Sequence, residues 1–123
     1  TTFQATKYAL KNTKNIFWIV GGQPKKNEKI LLKSLKKNIV KSYLIGKNIN
    51  FFKKQIKFNV EYFIAGNLKN SIVQIMRDIR TQNRKNNSIL LSPASASYDQ
   101  FSNFEDRGNK FKKLSIKYAR KYI

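Results

Sequence analysis

The residue types best suited to chemistry lie in the window from Ser88 to Phe111, which reads SILLSPASASYDQFSNFEDRGNKF. A short apolar run is followed by small residues and hydroxyls, and then by the start of a helical pattern. Small side chains allow close backbone approach, and Ser95, Ser97 and the N–H groups at a helix start can donate hydrogen bonds to an anion. The window therefore predicts an anion-binding turn, but a tight turn in which Ser97 or Asp99 only caps the helix explains the same residues.

Acidic residues also gather in this window, which holds Asp99, Glu105 and Asp106 out of the six carboxylates in the chain. Adjacent helical residues point in different directions, so Glu105 and Asp106 do not form a glycosidase pair. We expect all three to favour the positive end of the last helix and to pair with basic residues. The chain has no His and no Cys, which excludes disulfides, leaves no histidine to activate a Ser nucleophile and removes the commonest zinc ligands. We predict no catalytic residue and no metal site in this chain.

A second candidate stretch is VGGQPKK, residues 20–26, at the end of a predicted strand. Its glycines let the backbone approach a ligand, and one of its lysines, Lys25 or Lys26, offers a point charge for a carboxylate or phosphate. A strand that ends in Gly-Gly before surface lysines also occurs for purely structural reasons. The Gly-x-x-x-x-Gly-Lys-Ser/Thr spacing of a phosphate loop is absent.

The elements that must carry these stretches alternate along the chain. Buried strands are predicted at 16–20, 40–45, 60–64 and 89–91. Helices are predicted from residue 1 or 2 to about 15 and at 28–37, 48–56, 66–82 and 103–118. This alternation predicts a single α/β domain, with a Rossmann-like, open, mostly parallel sheet and helices on both faces. Ligands of such sheets bind at the carboxyl ends of the strands, where both candidate stretches lie.

Charge and length bound the remaining possibilities. The 123 residues carry a formal net charge of +20, which fits either a solvated lysine-rich surface or a polyanion site. No apolar run approaches the ~20 residues of a membrane helix, so we expect a cytoplasmic protein that does not enter a membrane. The chain lacks an initiating Met and begins inside a helical pattern, so we expect it to be a fragment.

Three stretches together resemble the Mur ligases, in particular the members that add D-glutamate. LLSPASASYDQFSNFEDRGNKF is similar to their C-terminal signature, Leu-Ser-Pro-Ala-Cys-Ala-Ser followed by Asp-Gln-Phe, Phe-Glu and Arg-Gly. TTFQATKYAL resembles the segment that completes the family's Asp-Ser-Lys-Ala-Thr motif, and WIVGGQPK stands at its Gly-Gly-x-x-Lys strand end. The resemblance covers the whole chain.

The resemblance implies the third, C-terminal domain, residues 1–123, of a three-domain, ADP-forming amide ligase of peptidoglycan precursor synthesis. In that family ATP phosphorylates the alanine carboxylate of UDP-N-acetylmuramoyl-L-alanine, and the amine of D-glutamate attacks the acyl phosphate. The absent central domain would hold ATP and Mg²⁺, and the absent first domain the UDP-sugar. The fragment alone would be inactive, and the full enzyme a monomer.

Carried over by matching position, Thr1, Lys25, Ser97 and Phe104 would contact D-glutamate, with Lys26 and Tyr98 as further candidates. Lysine and hydroxyl groups suit carboxylates. The sequence departs from the family pattern at three places: Ser95 replaces a cysteine, Tyr98 a frequent leucine, and QPKK at 23–26 replaces an acidic residue and a Lys-Gly pair.

Two alternatives remain open from the sequence. A related Mur-type or folylpolyglutamate-type ligase would add another amino acid. A non-enzymatic, lysine-rich nucleic-acid-binding domain would exploit the charge, although the low arginine content and the lack of an aromatic stacking motif argue against it.

Overall fold

The computed structural model of the chain describes residues 3–22, 29–82 and 85–91, together with Lys113, Ser115 and Lys117. Its elements follow in the order α1 (Phe3–Asn12), β1 (Ile16–Val20), a 3-10 helix (Lys36–Asn38), β2 (Ile39–Ile45), α2 (Ile49–Ile56), β3 (Tyr62–Gly66), α3 (Leu68–Gln82) and β4 (Ser88–Leu91). The predicted last helix lies outside the described residues except at Lys113, Ser115 and Lys117, which are helical. No helix of the described part is long and apolar enough to cross a membrane.

The four strands form one parallel sheet in the order β3-β2-β1-β4. β1 lies inside the sheet, paired with β2 on one side and with β4 on the other, and every one of its residues is buried. A continuous β-branched and aromatic run suits this position because both faces of a central parallel strand are covered. The predicted α/β fold with a parallel sheet is confirmed.

Two hydrophobic cores cover the two faces of the sheet. On the first face, Trp18 of β1 and Leu44 of β2 pack with Leu10 of α1 and with Phe52 and Ile56 of α2. The second core buries the opposite side chains of the same two strands under α3, and its members are Phe17, Ile19, Tyr43, Ile45, Ala65, Leu68, Ile72, Ile75 and Met76. Helices therefore lie on both faces, as the alternating pattern predicts.

Helix α3 shows how local sequence sets an element boundary. The side-chain oxygen of Asn67 accepts a hydrogen bond from the backbone N–H of Asn70 at 2.8 Å, which satisfies one of the free donors at the start of the helix. From there Leu68, Ile72 and Ile75 follow the helical period and are buried.

The helix expected at 28–37 is wrong for the residues that the structure describes. The chain from Lys29 to Leu35 contains no helix and ends in a turn that leads into the 3-10 helix. Ile30, Leu32 and Leu35 are buried in the first core, whereas Leu31 is 69% exposed. The amide of Ile30 also donates to the side chain of Gln55 in α2 at 3.3 Å. Packing on the sheet and α2 thus overrides a weak helical pattern.

Two boundaries also differ from the prediction. Helix α1 ends at Asn12, before Asn15, whose left-handed φ of 53° stops a helix. Strand β3 runs two residues later than expected, because the amide of Val60 still donates to the carbonyl of Ile56 at 3.1 Å and closes the last turn of α2.

The carbonyl groups at the end of α1 depend on one buried amide. Asn38 is 7% exposed, and its Nδ2 donates to the carbonyls of Leu10 at 2.9 Å and Lys11 at 3.3 Å. These carbonyls have no partner within the helix, so the side chain replaces water there. The bond joins α1 to the start of β2.

We expect Asn38→Ala to lower the free energy of unfolding by about 1–3 kcal/mol, because it leaves the buried carbonyl of Leu10 and the partly buried carbonyl of Lys11 unsatisfied. The measurement is urea denaturation followed by circular dichroism. Asn12→Ala is the matched control, since the exposed Asn12 makes a similar bond to the Tyr8 carbonyl at 2.8 Å, and its cost should stay below about 0.5 kcal/mol. Equal losses in the two variants would contradict this role for Asn38.

Candidate functional site

The carboxyl ends of β1 and β4 lie side by side. The two strands are parallel neighbours, and Ile19 near the end of β1 is paired with Leu91, the last residue of β4. Residues 21–28 follow β1 and residues 92–111 follow β4. Both stretches that the sequence singles out therefore leave the sheet from adjacent strands at the same edge.

The direction of winding also reverses between these two strands. From β1 to β2 and on to β3 the chain crosses the first face, where residues 30–35 and α2 pack. From β3 it returns over the second face through α3 to reach β4 on the far side of β1. In open α/β sheets the usual ligand position is the crevice at the carboxyl ends of the two strands between which the winding reverses. We therefore take the carboxyl ends of β1 and β4, next to Gly22 and Leu91, as the candidate site, and we call this position the crevice.

The residues predicted to bind the ligand lie outside the described part of the chain. They are Thr1, Lys25, Lys26, Ser97, Tyr98 and Phe104, and the acidic residues Asp99, Glu105 and Asp106 lie outside it as well. Their assignment stays a prediction. Within the described residues no group of three or more His, Cys, Asp or Glu side chains could hold a metal ion.

Gly21 is required by the close approach of β1 to β2. A Cβ atom at this position would lie 2.4 Å from the carbonyl oxygen of Ile45 and 2.8 Å from its Cγ1. No side chain fits there without displacing the backbone of β2. The glycine that follows, Gly22, is buried and has a φ of 113°, which only glycine adopts readily. Steric constraints therefore require glycine at both positions, in addition to the role of the pair in ending the strand.

Further hydrogen bonds join the carboxyl ends of neighbouring strands. The amide of Gly46, after β2, donates to the carbonyl of Gly66 at the end of β3 at 3.0 Å. The side-chain Nδ2 of Asn48 donates to the carbonyl of Gly22 at 2.8 Å. The sequence contains no direct signal for the Asn48 contact, since the two residues are 26 positions apart and meet only through the register of β1 and β2.

A polar cluster that the sequence did not reveal links β2 to α3. The carboxylate of Asp78 accepts hydrogen bonds from the Tyr43 hydroxyl at 2.6 Å and from Lys41 Nζ at 3.1 Å. Its other oxygen accepts a bond from Gln74 at 3.0 Å. Alternation along a strand puts Lys41 and Tyr43 on one face, but nothing in the sequence identifies Asp78 as their partner.

We assign this cluster to the fold and not to a site. Asp78 accepts a bond at each oxygen, so the cluster fixes the angle of α3 on the sheet without needing a ligand. Burial and the bonded carboxylate of Asp78 both raise the pKa of Tyr43 well above its ordinary value of 10.0.

An open depression of about 340 Å³ lies elsewhere, beside β3. It is lined by Ile64, Val73 and Arg77 among others, and β2 separates it from β1. Its Gln74 already donates to Asp78. The depression therefore lies apart from the winding reversal between β1 and β4.

The parallel sheet with helices on both faces defines a Rossmann-like α/β domain, in which the ligand position is expected at the winding reversal between β1 and β4. No family model matches the chain. Curated proteins that do match it are named UDP-N-acetylmuramoylalanine–D-glutamate ligase. The protein from Nitrobacter winogradskyi is 40% identical over 114 residues, 93% of this chain and 24% of the relative. The protein from Rickettsia felis is 36% identical over 111 residues, 90% of this chain and 25% of the relative.

These matches confirm the resemblance to the Mur ligases: over 90–93% of its length the chain is similar to proteins named as D-glutamate ligases. The chain spans about a quarter of the length of these relatives. The relatives are enzymes, and neither a nucleic-acid-binding domain nor a ligase of another substrate is favoured.

Because of the polar cluster around Asp78, we expect the free energy of unfolding to fall at alkaline pH. Above pH 10 the Tyr43 hydroxyl ionises in the unfolded chain but keeps its proton in the folded protein, because its folded pKa is raised. The stability that comes from the protonated Tyr43 hydroxyl is fully present below pH 10. It is lost as the pH rises further, by up to about 1.4 kcal/mol of unfolding free energy per pH unit. Tyr43→Phe should show a shallower decline in unfolding free energy between about pH 10 and 11, measured by urea denaturation.

The same variant should lower the unfolding free energy by about 1.5–3 kcal/mol at neutral pH, because it loses a hydrogen bond to a carboxylate. Tyr8→Phe is the control, because Tyr8 is 74% exposed, and its decline should follow the wild type. If the unfolding free energy of Tyr43→Phe declines above pH 10 as steeply as that of the wild type, the raised pKa of Tyr43 would be contradicted.

Proposed function

We propose that residues 1–123 are the C-terminal, amino-acid-binding domain of an ADP-forming ligase that adds D-glutamate to UDP-N-acetylmuramoyl-L-alanine. The observation that carries this proposal is the 36–40% identity to D-glutamate ligases over 90–93% of the chain. The crevice between β1 and β4 supports it, because the two segments that match the family's motifs follow these neighbouring strands. We further propose that the full protein is a cytoplasmic monomer.

In this proposal the crevice binds D-glutamate through its carboxylates. Lys25, after β1, supplies a positive charge, and Ser97, after β4, supplies a hydroxyl donor. Thr1 adds a second hydroxyl, and Phe104 shapes the pocket. Lys26 and Tyr98 are further candidates, Lys26 because it directly follows Lys25 in a loop that departs from the family pattern.

ATP and Mg²⁺ would be held by parts of the ligase other than this chain. The chain has no phosphate-loop spacing, and its described residues offer no cluster of three acidic or His/Cys side chains for a cation. We propose that the central domain of the ligase holds most of the ATP and Mg²⁺ contacts, and that the role of this domain is to bind and orient the amino acid. The isolated domain should be inactive.

The site assignment is tested in the full-length ligase by phosphate release that depends on D-glutamate. Lys25→Ala should raise the KM for D-glutamate about 10- to 100-fold, because it removes a charge-assisted bond to a carboxylate. Ser97→Ala should raise it about five- to tenfold. If Lys26 shares the contact, the Lys25→Ala/Lys26→Ala double variant should raise the KM for D-glutamate more than Lys25→Ala alone.

Lys14→Ala is the matched control for charge, because Lys14 is exposed and precedes the amino end of β1, whereas the candidate site lies at its carboxyl end. Its kinetics should equal the wild type, which separates a specific lysine from the general positive field. Wild-type kinetics in Ser97→Ala and in the Lys25/Lys26 double variant would remove the assignment. A panel of D-glutamate, L-glutamate, L-alanine and diaminopimelate tests the substrate, and turnover of any other member in place of D-glutamate would refute the proposed function.

A further inference from the structure

Asn48 stands at the start of a helix but does not use its side chain to cap it. It precedes α2 directly, and no side-chain hydrogen bond from Asn48 caps the helix. Asparagine is favoured at this position because its oxygen normally accepts a bond from an amide of the first turn. Here the half-buried side chain reaches across to β1, and its Nδ2 donates to the Gly22 carbonyl at 2.8 Å.

The carbonyl that Asn48 holds belongs to the point where the chain leaves β1. Gly21 cannot shift toward β2, because the Ile45 carbonyl already fills the space where a Cβ would stand. Gly22 has a φ of 113° and, as a glycine, has wide conformational freedom in the absence of a restraint. The bond from Asn48 supplies that restraint and ties the exit of β1 to the exit of β2.

We propose that Asn48 is a positioning residue for the amino-acid substrate. By fixing the Gly22 carbonyl it sets the point from which the chain continues to Lys25, three residues further on. A small displacement at that point would misplace a charged group that must meet a carboxylate at hydrogen-bond distance. The inference rests on the proposed function, and it concerns a residue that is not itself assigned any contact with the substrate.

The test is steady-state kinetics of the full-length ligase. Asn48→Ala should raise the KM for D-glutamate about five- to tenfold, the change expected for one hydrogen bond. The kcat and the KM for ATP should stay within about twofold of the wild type. Asn48→Leu preserves the side-chain volume but has no donor, so it should show the same rise, whereas a packing role predicts kinetics near the wild type.

Asn12→Ala is the matched control, because Asn12 makes the same type of bond to a backbone carbonyl, also at 2.8 Å, before the amino end of β1. It should leave every constant unchanged. An unchanged KM for D-glutamate in both Asn48 variants overturns the inference alone, as does an equal rise in the KM for ATP. A wild-type ligase without D-glutamate-dependent phosphate release overturns the proposed function and the inference with it.

Discussion

The complete burial of β1 is the constraint on which the rest of this structure depends. Its odd and even positions enter different cores, Trp18 on the first face and Phe17 and Ile19 on the second, and each is 0% exposed. Burying such a side chain contributes roughly 1.5–3 kcal/mol, so the strand cannot move to an edge of the sheet without losing both cores. With β1 fixed between β2 and β4, the reversal of winding must lie beside it.

The position of β1 also decides how the candidate site is built. β1 approaches β2 so closely that only glycine fits at Gly21, and the chain then turns through Gly22. The Asn48 amide, in the segment that follows β2, restrains the Gly22 carbonyl through a hydrogen bond. The point at which the chain leaves β1 is thus held by one backbone contact and one side-chain bond.

The net charge of +20 does not by itself indicate a polyanion-binding site. Lysines of the described residues have structural uses: Lys57 lies 4.8 Å from the centre of the exposed Phe58 ring, Lys53 lies 5.9 Å from Tyr62, and Lys41 pairs with Asp78. Such contacts suit a solvated surface in which lysine covers aromatic rings. A positive field can attract an anionic substrate, but only a lysine at the crevice can select where its carboxylate binds.

The parts of the fold that the sequence predicts are those with one dominant local signal. The buried run of β1 and the helical period of α3 leave no competing structure, and both are confirmed. The apolar residues from Lys29 to Leu35 fit a helix as well as they fit an irregular segment. Their packing on the sheet and on α2 favours the irregular segment. In the candidate site, the Gly-Gly strand end and the hydroxyl-rich stretch after β4 can be recognised from the local sequence. Contacts such as Asn48 with Gly22 arise from strand register, which single-sequence patterns do not determine.

The central claim is that D-glutamate binds in the crevice between the carboxyl ends of β1 and β4. A crystal structure of the full-length ligase with D-glutamate tests it most directly. We expect the amino acid beyond Gly22 and Leu91, with a carboxylate near Lys25 or Lys26 and Ser97. D-glutamate bound anywhere else, for example in the depression beside β3, would contradict the claim.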